Sequence, residues 1–221
     1  SRDAQFVISV MNEDRETPEG FYGGPAFAIL SRHFQGRERV FRERPVRILL
    51  TFGGADPQGL TLKVARALAP LSEEIEVISV AGPAFPHTLT FEALQRTLGR
   101  KLPLVRGVDV QIADMMLDAD LVLCSGGMSV YEIAALGTPG VVLAQNARED
   151  RRMREFARFG TIEYLGLGVD VDESTVLATV RNILADPARR QTMSAKGQSL
   201  VDGFGAARAA EIVLEQVHVD S

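Results

Sequence analysis

Cysteine occurs once in this sequence, at Cys124, and tryptophan not at all. A single thiol cannot close an internal disulfide, so the fold must rest on a packed core, and this usage fits a reducing, cytoplasmic compartment. No apolar run approaches the ~20 residues a helix needs to cross a bilayer. The opening stretch SRDAQFVISVMNED also lacks the layout of a secretory signal. An excess of positive charge is missing too. Lys and Arg number 24 against 29 Asp and Glu, a net charge of -5, which speaks against a nucleic-acid or anionic-lipid partner. Histidine is scarce, with His33, His87 and His218 alone, and neither a metal site nor a cofactor is expected. Internal repeats, heptads and low-complexity tracts are absent. What is present is 221 residues with 46% hydrophobic and 24% charged content, an ordinary globular balance.

Strand-like runs alternate with helical patterns. QFVISVM (5–11) comes first, followed by a polar, Gly-rich stretch, and AFAILSRHF then suggests a short helix. VRILLTF (46–52) is a nearly continuous apolar strand of the kind buried on both faces of a parallel sheet. GLTLKVARALAPL follows with helical spacing, then strand 75–82, helix TLTFEALQRTL, short strand KLPLVRG and helix DVQIADMMLDA. The alternation continues with DLVLCSGG, SVYEIAALG, GVVLAQ, EDRRMREFARFG and TIEYLG. Three helical patterns close the chain: ESTVLATVRNILA, DPARRQTMSAKGQSL and GAARAAEIVLEQVHV. Short connections between alternating elements predict βαβ units in an α/β, Rossmann-like, doubly wound parallel sheet over 46–221. Charge, glycine and proline concentrate at 12–45, so residues 1–45 read as a remnant strand and an interdomain linker. The first strand lacks an evident neighbour, which points to a missing one.

Ligands of such sheets bind beyond the carboxyl ends of the strands, beside helix N-termini. Three loops there stand out. In TFGGADPQGLT, Gly53 and Gly54 allow close backbone approach, Asp56 suits an N-cap and Pro57 the first helical position. Gly54 and Gly59 have Walker-A spacing, but Leu60 stands where the lysine belongs, which excludes a P-loop ATPase. A tight, well-capped turn and a phosphate-facing loop both fit. In LCSGGMSVYEIAALGTPGVV (123–142), Gly126 and Gly127 offer backbone N–H groups at a helix N-terminus, and Ser125 and Ser129 add hydroxyls. Here Ser129 and Glu132 also have the spacing of a capping box, so Glu132 either folds back on Ser129 or accepts hydrogen bonds from a ribose diol. In AQNAREDRRMREF, Gln145 and Asn146 place amides at the sheet edge ahead of a charge-dense helix.

LTFGGADPQGLTLKVARAL followed by ADMMLDADLVLCSGGMSVYEIAALGTPGVVLAQN resembles the C-terminal domain of GT-B nucleotide-sugar enzymes. The likeness is to the PseG-like UDP-sugar hydrolases of the pseudaminic acid pathway, and more distantly to MurG-like glycosyltransferases. GFYGGPAFAILSRHF is similar, imperfectly, to the interdomain stretch of the hydrolases. The resemblance implies that Gly53 and Gly54 face a diphosphate, that Ser125, Gly126, Gly127 and Ser129 contact phosphate, and that Glu132 holds the ribose hydroxyls. It further implies base contacts from Arg106, Gly107 and Val108, and sugar contacts from Gln145 and Asn146; His87, after strand 75–82 at the same edge, is a further candidate sugar contact by its position. The partner it implies is a UDP-sugar, in surface-polysaccharide or nonulosonic acid biosynthesis. Catalysis would come from an N-terminal domain or partner subunit bearing a Gly-Gly-Gly-His loop, a motif this sequence does not contain. The competing expectation is a non-catalytic module that binds a nucleotide sugar or a partner within a larger biosynthetic protein. An NAD-type oxidoreductase is disfavoured, because no Gly-x-Gly-x-x-Gly opens the first βα turn.

Overall fold

The computed structural model describes residues 7–10, 20–99, 102–107 and 112–219. Six parallel strands form one sheet: β3 (Arg47–Thr51), β4 (Glu76–Ala81), β5 (Leu104–Arg106), β6 (Leu121–Cys124), β7 (Gly140–Ala144) and β8 (Ile162–Leu167). Their order is β5-β4-β3-β6-β7-β8. The helices are α1 (Leu60–Leu68), α2 (Thr88–Leu98), α3 (Ile112–Asp118), α4 (Ser129–Leu136), α5 (Ala147–Phe156), α6 (Glu173–Leu184), α7 (Pro187–Leu200) and α8 (Gly205–Val219).

The central strands are apolar on both faces because helices cover both. Ile48, Leu50 and Phe52 join Leu121, Leu123, Val141 and Leu143 in a core under α1, α2 and α6. The alternate residues Leu49, Val122, Cys124 and Val142 pack with α3, α4 and Phe156 of α5 on the other face. This division of one strand's side chains between two cores is what a doubly wound sheet requires, and it explains runs such as RILLT without polar alternation. Helix α7 lies against α4, close enough that a Cβ on Gly197 would fall 2.9 Å from the Ala134 carbonyl oxygen.

Two expectations for the amino-terminal region are corrected. The first strand has a neighbour after all: β1 (Val7–Ser9) pairs in parallel with β2 (Phe21–Gly23) in a separate two-stranded sheet. AFAILSRHF forms no continuous helix, only single 3-10 turns at Pro25–Phe27 and Arg32–Phe34 with extended chain between them. The reason is visible in burial: Ala28 and Leu30 point into the core while Ile29 and Ser31 are exposed, the two-residue period of extended backbone. Phe34 is buried in the same cluster.

This segment is strapped to the domain by arginines. Arg39 donates to the Leu117 carbonyl at 2.7 Å and to Thr138 Oγ1 at 3.0 Å, and Arg42 donates to the Asp118 carbonyl at 2.7 Å. Asp120, fully buried, accepts from the amides of Val46 and Arg47 and faces Arg39 and Arg42. Burial pulls Arg39 down to about 10 against the opposing pull of Asp120, with Arg42 and Arg190 lowering it further. Arg190, in α7, closes the cluster with bonds to the Arg42 and Glu43 carbonyls at 2.9 and 2.6 Å. All of this sits at the amino ends of β3 and β6. In α8, Arg208 donates to the Ala26 carbonyl at 2.9 Å, and Gly205 packs so tightly that a Cβ there would lie 2.3 Å from the Ala28 oxygen.

Candidate functional site

Strand order locates the site. From β3 the chain moves outward through β4 and β5, then returns across the sheet so that β6 pairs with the other side of β3. The connections therefore diverge between β3 and β6, and a crevice opens at that switch point beyond the carboxyl ends. The loop after β3 carries Gly53 and Gly54, and the loop after β6 carries Ser125, Gly126 and Gly127, so both predicted glycine pairs flank the crevice. Gly53 has φ 84, a left-handed conformation that disfavours other residues. Gly54 meets the β4 loop so closely that a Cβ on Gly82 would fall 2.4 Å from its Cα.

The amino end of α1 is closed. Asp56 and Pro57 were expected at the N-cap and first helical position. The helix instead begins at Leu60 after a left-handed Gly59, and Pro57 lies outside it. Asp56, buried and itself at φ 42, reaches forward so that its carboxylate accepts the amides of Leu60 (2.9 Å) and Thr61 (2.7 Å). Gln145, at the end of β7, extends across the end of β6 and donates to Asp56 Oδ1 (3.1 Å) and the Phe52 carbonyl (2.9 Å). The Gln145 side-chain oxygen, Oε1, is buried with no partner among the described residues. Asp56→Ala should therefore cost about 1–2 kcal/mol of stability, as for a lost cap, and differential scanning calorimetry should register a melting point lower by a few degrees.

The amino end of α4 is open. Met128 is its N-cap residue and no side chain caps it. The expected capping box does not form: the Glu132 amide donates to the Met128 carbonyl at 3.2 Å rather than to Ser129. The amides of Gly127, Met128 and Ser129 have no acceptor among the described residues. Ser125 is buried at the strand end and Gly127 is exposed. Glu132 is half-buried in the first turn of α4. Burial raises its carboxyl above the ordinary range, while the Ser129 hydroxyl beside it works in the opposite direction.

Between β6 and β7 a residue that sequence reasoning passed over takes a central place. Glu149 Oε2 accepts the amides of Gly126 (3.0 Å) and Gln145 (2.9 Å), and Asn146 Nδ2 donates to Oε1 at 3.3 Å. The Gly126 amide, expected to face phosphate, is thus already engaged, and its missing side chain makes room for Met153 and Glu149. Asn146 caps α5 through the amides of Arg148 and Glu149. The signal was present as Asn-x-x-Glu, the spacing of a capping box, although this glutamate reaches past the cap to two neighbouring strands' loops.

The remaining predicted residues are dispersed. Arg106 and Gly107 end the outermost strand, exposed and two strands away from β3. Val108 lies outside the described residues. His87 precedes α2, with its ring edge-on to Phe85 at 5.4 Å and a buried, unpartnered Nε2 that approaches Gly59. His33 sits in a 3-10 turn of the strap, and the side chain of His218 lies outside the described residues. No helix among the described residues is long and apolar enough to cross a membrane.

Comparison with known proteins extends the picture. No protein-family model matches the chain. It is similar to the spore coat polysaccharide biosynthesis protein SpsG of Bacillus subtilis, 32% identical over 198 residues, covering 87% of this chain and 57% of that protein. It is also similar to the UDP-N-acetylglucosamine--N-acetylmuramyl-(pentapeptide) pyrophosphoryl-undecaprenol N-acetylglucosamine transferase of Mannheimia succiniciproducens. There the identity is 24%, over 82% of this chain and 52% of the transferase. The chain thus spans about half the length of these curated relatives. Among solved structures, Acinetobacter baumannii MurG superposes with a TM-score of 0.69 at 14% identity, over 97% of this chain and 61% of that one. A Staphylococcus aureus MnaA-UDP co-structure gives 0.61 at 18% identity, over 79% of this chain and 47% of that one. The α/β fold is that of GT-B glycosyltransferase structures such as MurG.

Proposed function

We propose that this chain is the nucleotide-sugar-binding half of a GT-B enzyme of surface-polysaccharide assembly, and that it takes a UDP-sugar in the crevice between β3 and β6. The observation that carries this reading is the amino end of α4, where three consecutive amides are left open and uncapped at the switch point. Helix dipole and free N–H groups make that position a natural seat for a diphosphate. The backbone of Gly53 and Gly54 supplies the facing wall, Ser125 and Ser129 supply hydroxyls, and Glu132 takes the ribose diol. The closed ends of α1 and α5, filled by Asp56 and Asn146, direct the anion to α4.

The names of the relatives support the same assignment, since one belongs to spore coat polysaccharide synthesis and the other to a UDP-N-acetylglucosamine transferase. The chemistry assigned to this half is electrostatic. Fixed amides stabilise the charge that builds on the departing diphosphate, a contribution common to glycosyl transfer and to the hydrolysis that the PseG-like resemblance implies. The group that activates an acceptor hydroxyl or water is assigned to the second half of the enzyme. Isothermal titration of this chain with UDP is expected to show one site of micromolar to millimolar affinity. No binding of UDP at several millimolar would overturn the assignment.

A further inference from the structure

We propose that Glu149 is a fixed negative charge that, by repulsion, makes the crevice favour a nucleotide diphosphate esterified at its far end, as in a nucleotide-sugar, over the free nucleoside diphosphate. This rests on the reading of the crevice given above and adds to it a residue that discriminates substrate from product.

The carboxylate of Glu149 is held from three sides. The Gly126 and Gln145 amides bond Oε2 at 3.0 and 2.9 Å, and the Asn146 side-chain amide bonds Oε1 at 3.3 Å. These three donors are neutral amides, so they fix the carboxylate in place and bring no opposing charge of their own. Gly126 permits the approach: a Cβ there would lie 2.6 Å from Met153 Cγ and 3.1 Å from Glu149 Cβ. The first open amide of the α4 cradle belongs to the next residue, Gly127, one peptide unit or ~3.8 Å further along the chain. A second sign of the field is at Cys124, the last residue of β6. Its thiol is pushed well up by burial first, and then by Glu132 and Glu149.

A diphosphate bridging a nucleoside and a sugar carries one charge on each phosphoryl group. A terminal phosphoryl ionises a second time near pH ~6, so free UDP brings one further negative charge at neutral pH. At about 8 Å, one unit charge acting on another changes affinity by roughly twofold in water and roughly thirtyfold at an effective dielectric of ~20. A shift of about fivefold lies between these limits. Acting through Glu149, it weakens the hold on product while leaving the less charged substrate relatively undisturbed.

The test compares this chain with Glu149→Gln at pH 7.5 and low ionic strength, without divalent cations, titrating UDP, UDP-N-acetylglucosamine and uridine. Glutamine keeps an acceptor for the two amides and removes the charge. The expected result is a UDP affinity that improves about fivefold more than that of the sugar nucleotide, with uridine unchanged. An unchanged UDP to UDP-sugar ratio, or parallel weakening of both, would overturn the proposal and leave Glu149 as a clamp between loops. Should the variant fold poorly, wild-type protein answers by salt. Raising ionic strength from ~20 mM to ~1 M should improve UDP relative to the sugar nucleotide, and a constant ratio counts against the charge. Failure of wild type to bind either nucleotide would instead overturn the reading of the crevice itself.

Discussion

Glu132→Ala is expected to weaken uridine and UDP binding by roughly ten- to a hundredfold, the range for hydrogen bonds to a charged group. The same change should leave folding almost intact, because Glu132 is not the cap of its helix: its amide bonds the Met128 carbonyl, which alanine preserves. The protonation of this carboxyl adds a second, oppositely signed expectation. Burial raises its pKa in the folded chain above the ordinary carboxyl range. A raised carboxyl favours the folded state at pH below the unfolded value, and that advantage is lost as pH rises through the folded one. Ionised Glu132 is therefore a small burden on stability at neutral pH, and Glu132→Gln should melt slightly higher than wild type while binding uridine more weakly. As pH falls through the raised value, uridine binding by wild type should fade, and uridine is the right probe because it has no phosphate to titrate. A lowered melting point with unchanged nucleoside affinity would return Glu132 to a purely structural role.

The second large effect lies at the opposite edge of the sheet. Asp120→Ala should cost about 3–5 kcal/mol, the penalty for removing one partner of a buried ionic cluster. For a chain of this size that corresponds to a melting point lower by roughly 10 °C. Asp120 holds the Val46 and Arg47 amides and is the anion facing Arg39 and Arg42, whose guanidiniums would be left against Arg190. Asp120→Asn keeps the amide bonds and should fall between. Thermal unfolding followed by circular dichroism decides the matter, and a drop of only two or three degrees would mean that water replaces the carboxylate. Below the melting transition, UDP affinity should be unchanged, since the cluster is separated from the crevice by the length of the strands.

The regular elements were legible because their signals are local. TLTFEALQRTL and GAARAAEIVLEQVHV form helices at the expected residues, and the strand runs are correct to within a few positions at their ends. The position of the two glycine loops at one edge also followed from alternation alone. What escaped depends on partners distant in sequence or on competing local patterns. AFAILSRHF has enough apolar residues for a helix, yet its alternating burial is decided by α4 and by the far end of the chain. Ser129 and Glu132 have capping-box spacing, but the helix takes its cap one residue earlier, at Met128. Asp56 has the residue type of a cap for the adjacent positions, whereas a left-handed turn carries the helix start onward and its carboxylate reaches forward to it. Glu149 shows in the sequence only as the end of Asn-x-x-Glu, because its two backbone amide donors come from the ends of different strands, one of them 23 residues away.

The contact of Gly205 and Arg208 with residues 26 to 28 has a consequence for inheritance. The stretch leading into the sheet and the helix following it are stitched together at one spot, around the buried Ala28 and Gly205. A unit whose way in and way out coincide can be transplanted between genes with a single scar, and neither the switch-point crevice nor the buried arginines need be rebuilt. An exchange of this kind leaves both cores of the sheet and the loops at its switch point as they are.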